Sequence, residues 1–256
     1  MFEKLESRVM IQYTIKTISD LHIGGHGSTA PAEVDSPVLK DTKDYPIIPG
    51  SSLKGVLRTE MERLLKGLKI DVCTVPEVCK SKRKGGIVIR KDLSECPVCM
   101  LFGGAALAGS VRIRDAFTLN MKTVIRDGVA IDRKTRKAKS GAKYDLEVVP
   151  QGTLFEGEVT IENPDIDVYK NAKLGAFFSL IEFFNLCSGG IGHATSRGFG
   201  QIDIGIDNFR LITAENYLSG NYEGKIYSKS NPEFNTLKEQ SIVSWSVYLK
   251  SIKGST

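Results

Sequence analysis

The chain is predicted to be an α+β protein on three observations. Residues 9–19 alternate apolar and polar, residues 53–65 carry a helical apolar stripe, and an apolar helix at 174–187 runs into a second alternating segment at 199–206. With 256 residues, 41% of them hydrophobic and 25% charged, the chain can bury a real core, as one domain with insertions or as two small ones. Its first eight residues are charged and lack the apolar centre of a signal peptide. No apolar stretch reaches membrane-spanning length, so no membrane partner and a cytoplasmic location are expected.

In the first strand Val9, Ile11, Tyr13, Ile15 and Ile18 interleave with Met10, Gln12, Thr14 and Lys16, a half-buried pattern rich in β-branched residues. It enters the glycine-histidine turn Leu21-His22-Ile23-Gly24-Gly25-His26-Gly27, and then a loop at 30–45 that holds Glu33, Asp35, Asp41 and Asp44. Leu53, Val56, Leu57, Glu60, Met61, Leu64 and Leu65 define the clearest helix, with Ser51 or Ser52 expected to cap it and Gly67 just past its end. Lys54, Arg58 and Arg63 are expected to point off its buried face. A capped N-terminus after a Gly-Ser-Ser turn is an anion site, or a cap and nothing more.

Residues 69–94 break the pattern and read as an insertion bracketed by Cys73, Cys79, Cys96 and Cys99. Cys96-Pro97-Val98-Cys99 has the knuckle spacing that lets two thiolates reach one tetrahedral ion, so structural Zn²⁺ is weighed against unligated thiols. Cys187, alone in an apolar helix, reads as a core residue. Residues 111–117 alternate as a strand, and the short apolar pieces at 124–125 and 129–131 suggest a projecting hairpin or arm. Strands at 144–149 and 153–161 flank Pro150-Gln151-Gly152. The tract at 211–256 is polar with scattered aromatics and one strand-like piece at 242–249. The order strand–helix–strand, arm, strand–helix–strand is a split βαβ, the ferredoxin-like or RRM-like βαββαβ pattern, whose sheet commonly binds single-stranded RNA.

The net charge of +5 is concentrated in two blocks. Lys80, Lys82, Arg83, Lys84, Arg90 and Lys91 form one; Lys122, Arg126, Arg133, Lys134, Arg136, Lys137, Lys139 and Lys143 form the other. Cations on glycine-spaced loops suit a polyanion, and two such runs favour nucleic acid over a merely solvated face. Between the second helix and the last alternating strand lies Ser188-Gly189-Gly190-Ile191-Gly192-His193-Ala194-Thr195-Ser196-Arg197-Gly198-Phe199-Gly200. Such a loop cradles a phosphate backbone or simply reverses the chain. It follows a helix and has Thr195 at the third fingerprint position, which excludes a dinucleotide-binding turn.

Gly190-Ile191-Gly192 with Arg197-Gly198-Phe199-Gly200 resembles the glycine-rich loop of the RAMP superfamily of CRISPR proteins. Further stretches are similar to the repeated backbone subunit of type III effector complexes, Csm type. They are Leu21-His22-Ile23-Gly24-Gly25, Val34-Asp35-Ser36-Pro37-Val38, Pro46-Ile47-Ile48-Pro49-Gly50-Ser51-Ser52-Leu53-Lys54-Gly55, residues 96–103 and Arg114-Asp115-Ala116. The resemblance covers roughly residues 9–206. It implies a core, or palm, from residues 1–68, 100–120 and 144–210, a Cys-bracketed insertion at 69–99, a thumb hairpin at 121–143 and a C-terminal extension at 211–256 packing on the core or a neighbour.

The function so implied is a crRNA-binding subunit that polymerises as further copies of itself along the guide, with other type III CRISPR subunits. It would cut complementary target single-stranded RNA at regular intervals, using Mg²⁺ or another divalent cation. Asp35 is the counterpart of the family's cutting aspartate and His22 a candidate for proton transfer. The expected RNA contacts are Gly24, Gly25, Ser51, Ser52, Lys54, Arg58, Arg126, Arg133, Lys134, Arg136, Gly190, Gly192, Arg197 and Gly198. The competing functions are a non-catalytic crRNA scaffold, a metal-free repeat-processing endoribonuclease using His22 or His26, and a phosphate-binding metabolic enzyme.

Overall fold

The structure, a computed structural model, describes residues 4–25, 34–73, 96–104, 107–119, 122–187 and 189–253. In chain order the elements are β1 (Ser7–Thr17), β2 (Ile47–Ile48), α1 (Gly50–Gly67), α2 (Pro97–Phe102), β3 (Val111–Ile113), β4 (Ala116–Phe117), β5 (Val124–Ile131) and β6 (Ala138–Val148). They continue with β7 (Leu154–Glu162), α3 (Ala172–Leu186), β8 (Ile202–Thr213), α4 (Ala214–Leu218), β9 (Lys225–Ser228) and α5 (Pro232–Lys253). The larger sheet runs β2–β4–β7–β1–β8–β9, with β3 also on β7, and every pairing is antiparallel. β5 and β6 form a separate two-stranded ribbon.

The alternation of β1 sends Val9, Ile11, Tyr13, Ile15 and Thr17 inward. Ile18, expected on that face, is instead half-exposed, because the strand ends at Thr17, whose hydroxyl donates to Pro150 O. Leu53, Leu57, Met61 and Leu65 of α1 share one core cluster with these strand residues, and each enclosed side chain contributes about 2 kcal/mol. The polar member enclosed on this helix is Glu62, not Glu60.

Neither Ser51 nor Ser52 caps α1. The N-cap is Pro49, and the Gly50 N–H donates to Asp115 Oδ1 at 2.8 Å. A carboxylate from the break between β3 and β4 thus holds this helix N-terminus, and the same break splits the single strand expected at 111–117.

α3 is apolar all round because it lies between the sheet and α5. A Cβ on Gly175 would meet the backbone of Ser241, so the two helices touch main chain to main chain. The strand-like piece expected at 242–249 is part of α5: Phe234, Leu237, Ile242, Trp245, Tyr248, Leu249 and Ile252 follow the helical period over its full length. Residues 211–256 therefore belong, as far as described, to the end of β8, to α4 and β9, and to a helix packed on the core. Cys187, expected in the core, is exposed one residue past the end of α3.

Candidate functional site

Stretches far apart in sequence converge at one end of the sheet. Beyond β1, Leu21 exchanges hydrogen bonds with Val149 at the foot of the β5–β6 ribbon. Gly25 N–H donates to Pro37 O at 2.9 Å and Leu39 N–H to Ile23 O at 2.8 Å, which lays residues 34–40 beside the glycine turn. The glycine-rich loop closes the other side: His193 N–H donates to His22 O at 2.8 Å, and Gly200 N–H to Asp20 O at 2.7 Å. Gly192, at φ 89°, is pressed so close to His22 O that no other residue fits. Gly24, Gly25, Gly190 and Gly192 therefore serve the joining of these loops.

Asp35 sits exposed on this assembly, and its Oδ2 accepts the backbone N–H of Asp145 from β6 at 2.9 Å. Ser36 bridges Leu146 beside it. Asp145 Oδ1 is enclosed and has no hydrogen-bond partner among the described residues.

His22 is buried, with Nδ1 2.7 Å from Glu147 O. A carbonyl only accepts, so the proton is on Nδ1. In this position the ring ties the glycine turn to the ribbon. His26 and Glu33 lie outside the described residues.

Glu147 organises this end of the molecule, and sequence reasoning missed it. Its buried carboxylate accepts from Val38 N–H at 3.0 Å and Thr123 Oγ1 at 2.6 Å, and pairs with Lys40 at 2.7 Å. Burial alone would raise its pKa; the bonds from Lys40, Thr123 and Val38 outweigh it and hold the carboxyl below its ordinary range. The available signal was a lone Glu inside an apolar strand end, Leu146-Glu147-Val148-Val149.

The β5–β6 ribbon carries the second basic block. Asp132 shapes its turn by accepting the N–H groups of Lys134 and Thr135, at 2.7 and 3.0 Å, and Arg136 follows at φ 55°. Arg133, Lys134 and Arg136 are exposed at the tip. Arg126, near the foot, pairs with Asp20 at 2.7 Å and braces the ribbon against the loop after β1. Arg197 and Gly198 are exposed on a short 3₁₀ turn beside a 630 Å³ cavity between the glycine loop, α3 and α1.

Two expected RNA-binding cations are turned inward. Arg58 donates to Glu62 Oε1 at 2.8 Å, to Gly103 O at 2.5 Å and to Cys99 Sγ at 3.7 Å. Lys54 donates to Val111 O at 3.1 Å, and desolvation, then the Arg58 and Arg112 charges, lower its pKa. Both correct the expectation that these residues leave the buried face of the helix: each meets a backbone carbonyl from the chain packed beside α1. The open sheet face carries a groove lined by Asp115, Glu156, Glu158 and Asp207 with Arg114.

Cys73, Cys96 and Cys99 are buried with their sulfurs all within 4.8 Å of one another; Cys79 lies outside the described residues, as does the first basic block. None of the three is in a disulfide. A hydrogen bond from Cys99 is the leading cause that pulls the Cys96 thiol well below its ordinary range, against the opposing effect of burial.

A family model described as the RAMP superfamily matches residues 14–203. Among similar curated proteins, the CRISPR system Cms endoribonuclease Csm3 of Streptococcus thermophilus is 42% identical over 229 residues, 86% of this chain and 94% of that protein. The protein of the same name from Methanocaldococcus jannaschii is 28% identical over 252 residues, 92% of this chain and 94% of that one. The one from Enterococcus italicus is 27% identical over 221 residues, 82% and 95% of the two chains.

Proposed function

The chain belongs to the RAMP superfamily, and on that premise we propose that it is a Csm3-like, crRNA-binding backbone subunit of a type III CRISPR complex that cleaves complementary target RNA. The observation that carries this reading is the exposed Asp35 carboxylate, tethered by the Asp145 N–H at the foot of a basic ribbon. The relatives' shared name, an endoribonuclease, supports the same activity.

On this reading the sheet order β4–β7–β1–β8 with α1 and α3 is a ferredoxin-like palm, and the β5–β6 ribbon is its thumb. Arg133, Lys134 and Arg136 at the thumb tip and Arg197 on the glycine loop contact phosphates, with Ser51 and Ser52 at the start of α1. A base displaced by the thumb frees its neighbouring phosphate from A-form geometry, so that the ribose 2′-OH lies in line with the departing 5′ oxygen. The Asp145 tether fixes one oxygen of Asp35 and leaves the other to orient that hydroxyl and take its proton. The 2′-oxygen–phosphorus bond forms as the phosphorus–5′-oxygen bond breaks, and the leaving oxygen takes a proton from solvent.

The enclosed Asp145 Oδ1, which has no hydrogen-bond partner among the described residues, is an oxygen donor of the kind that Mg²⁺ or another hard divalent cation takes. Such an ion would stabilise charge developing on the phosphate. Cys73, Cys96 and Cys99 offer the thiolate donors of a structural Zn²⁺. Copies of the chain line up along the guide with other type III subunits in the cytoplasm.

The test is cleavage of a complementary RNA by reconstituted complex. Wild type with Mg²⁺ is expected to give a ladder of evenly spaced products. Asp35→Ala is expected to lose about 100-fold or more in rate while still binding the guide. An undiminished ladder from Asp35→Ala would replace the nuclease with a non-catalytic scaffold.

A further inference from the structure

We propose that Arg58 sets the affinity of the Cys73–Cys96–Cys99 cluster for a thiophilic divalent cation and joins that ion to helix α1. The inference rests on reading the cluster as a metal centre and adds a residue from a separate element to it. Three thiolates around a divalent cation leave one net negative charge in a buried site, since all three cysteines are enclosed. Such a charge is stable there only with a compensating cation and hydrogen bonds to sulfur.

Arg58 meets that need in its geometry. Its Nε donates to Glu62 Oε1 at 2.8 Å and its Nη1 to Gly103 O at 2.5 Å. These two bonds set the guanidinium plane, and the remaining Nη2 faces Cys99 Sγ at 3.7 Å. The group is 14% exposed, so its charge acts on the sulfur with little screening by water. A guanidinium presents a fixed fork of N–H donors and offers no lone pair, so it donates to the Cys99 sulfur without competing for the metal as a ligand. Packing α1 against the Gly103 carbonyl would require only two of these contacts. The third ties the helix to the sulfur cluster itself.

The experiment measures Zn²⁺ affinity of the full-length chain by competition with a chromophoric chelator, and Cd²⁺–thiolate charge-transfer absorption as a direct report on the sulfurs. Wild type is expected to hold one ion per chain and Cys99→Ser to lose it. Arg58→Met is expected to bind about 10–100-fold more weakly with a shifted charge-transfer band, and Arg58→Lys to fall between the two. Because Arg58→Met strands Glu62, the double variant Arg58→Met/Glu62→Gln keeps the fold neutral at that point and is expected to show the same loss. Wild-type affinity and an unshifted band in the double variant would overturn the assignment and leave Arg58 a packing residue. A wild-type chain that takes up neither ion would remove the metal reading itself, a failure visible before any Arg58 variant is compared.

Discussion

Glu147 joins three segments through one residue: residues 38–40 and Thr123 through its carboxylate, and the His22 turn through its backbone carbonyl. Its carboxyl is held below its ordinary value of 4.5, so the charged form is favoured by folding. The stabilisation is complete above 4.5 and is lost as pH falls through the folded value. Glu147→Ala is expected to destabilise by about 2–3 kcal/mol at pH 7, because it strands the Val38 N–H, the Thr123 hydroxyl and the Lys40 charge. Glu147→Gln should cost less. In urea titrations the gap between wild type and Glu147→Gln should narrow below pH 4.5; a gap independent of pH would show that the charge is not what holds the loop. Asp35 was readable in sequence as part of a motif, whereas its tether and this anchor were not, since Val38 and Glu147 are 109 positions apart.

At the scale of elements, no sheet among the described residues pairs with the β5–β6 ribbon. Ile125, Val129 and Ile131 are exposed along it. Its foot is held by the Arg126–Asp20 pair and by the bridges Ser36–Leu146 and Leu21–Val149. Reversing Arg133, Lys134 and Arg136 to Glu should therefore leave thermal stability unchanged within about 0.5 kcal/mol. It should reduce affinity for guide RNA and flatten the salt dependence of binding by about 2 in log–log slope, three contacts at ~0.7 each. Fluorescence anisotropy across a salt series measures both, and an unchanged slope would take the tip off the RNA. Short apolar pieces among cations were enough to suggest this hairpin in sequence; its bracing by an aspartate from beyond β1 depended on the folded chain.

At the scale of the molecule, charge is partitioned among the described residues. Cations crowd the ribbon tip, while carboxylates line the groove on the open sheet face. The C-terminal helix completes the core by lying directly on α3, with Phe234, Trp245 and Tyr248 buried. Gly175→Val is expected to force these helices apart and to destabilise by about 3 kcal/mol. Gly67→Ala, with open space around it, should be neutral or stabilising by up to about 1 kcal/mol. Calorimetry that found the two equivalent would contradict the close packing of α3 on α5.

By itself the sequence determined the order of the main strands and helices and the motifs of the RAMP superfamily, because periodicity and turn chemistry are local properties. Where the window was too short, as at 242–249, alternation misled and the longer helical period was the correct one. Only the tertiary structure decided which charges remain available. It turned Arg58, Lys54 and His22 inward, set Cys187 outward and left Asp35 exposed on a tether. The physical reason is that a side chain's partner comes from whatever distant segment the fold brings beside it, and no local pattern encodes that neighbour.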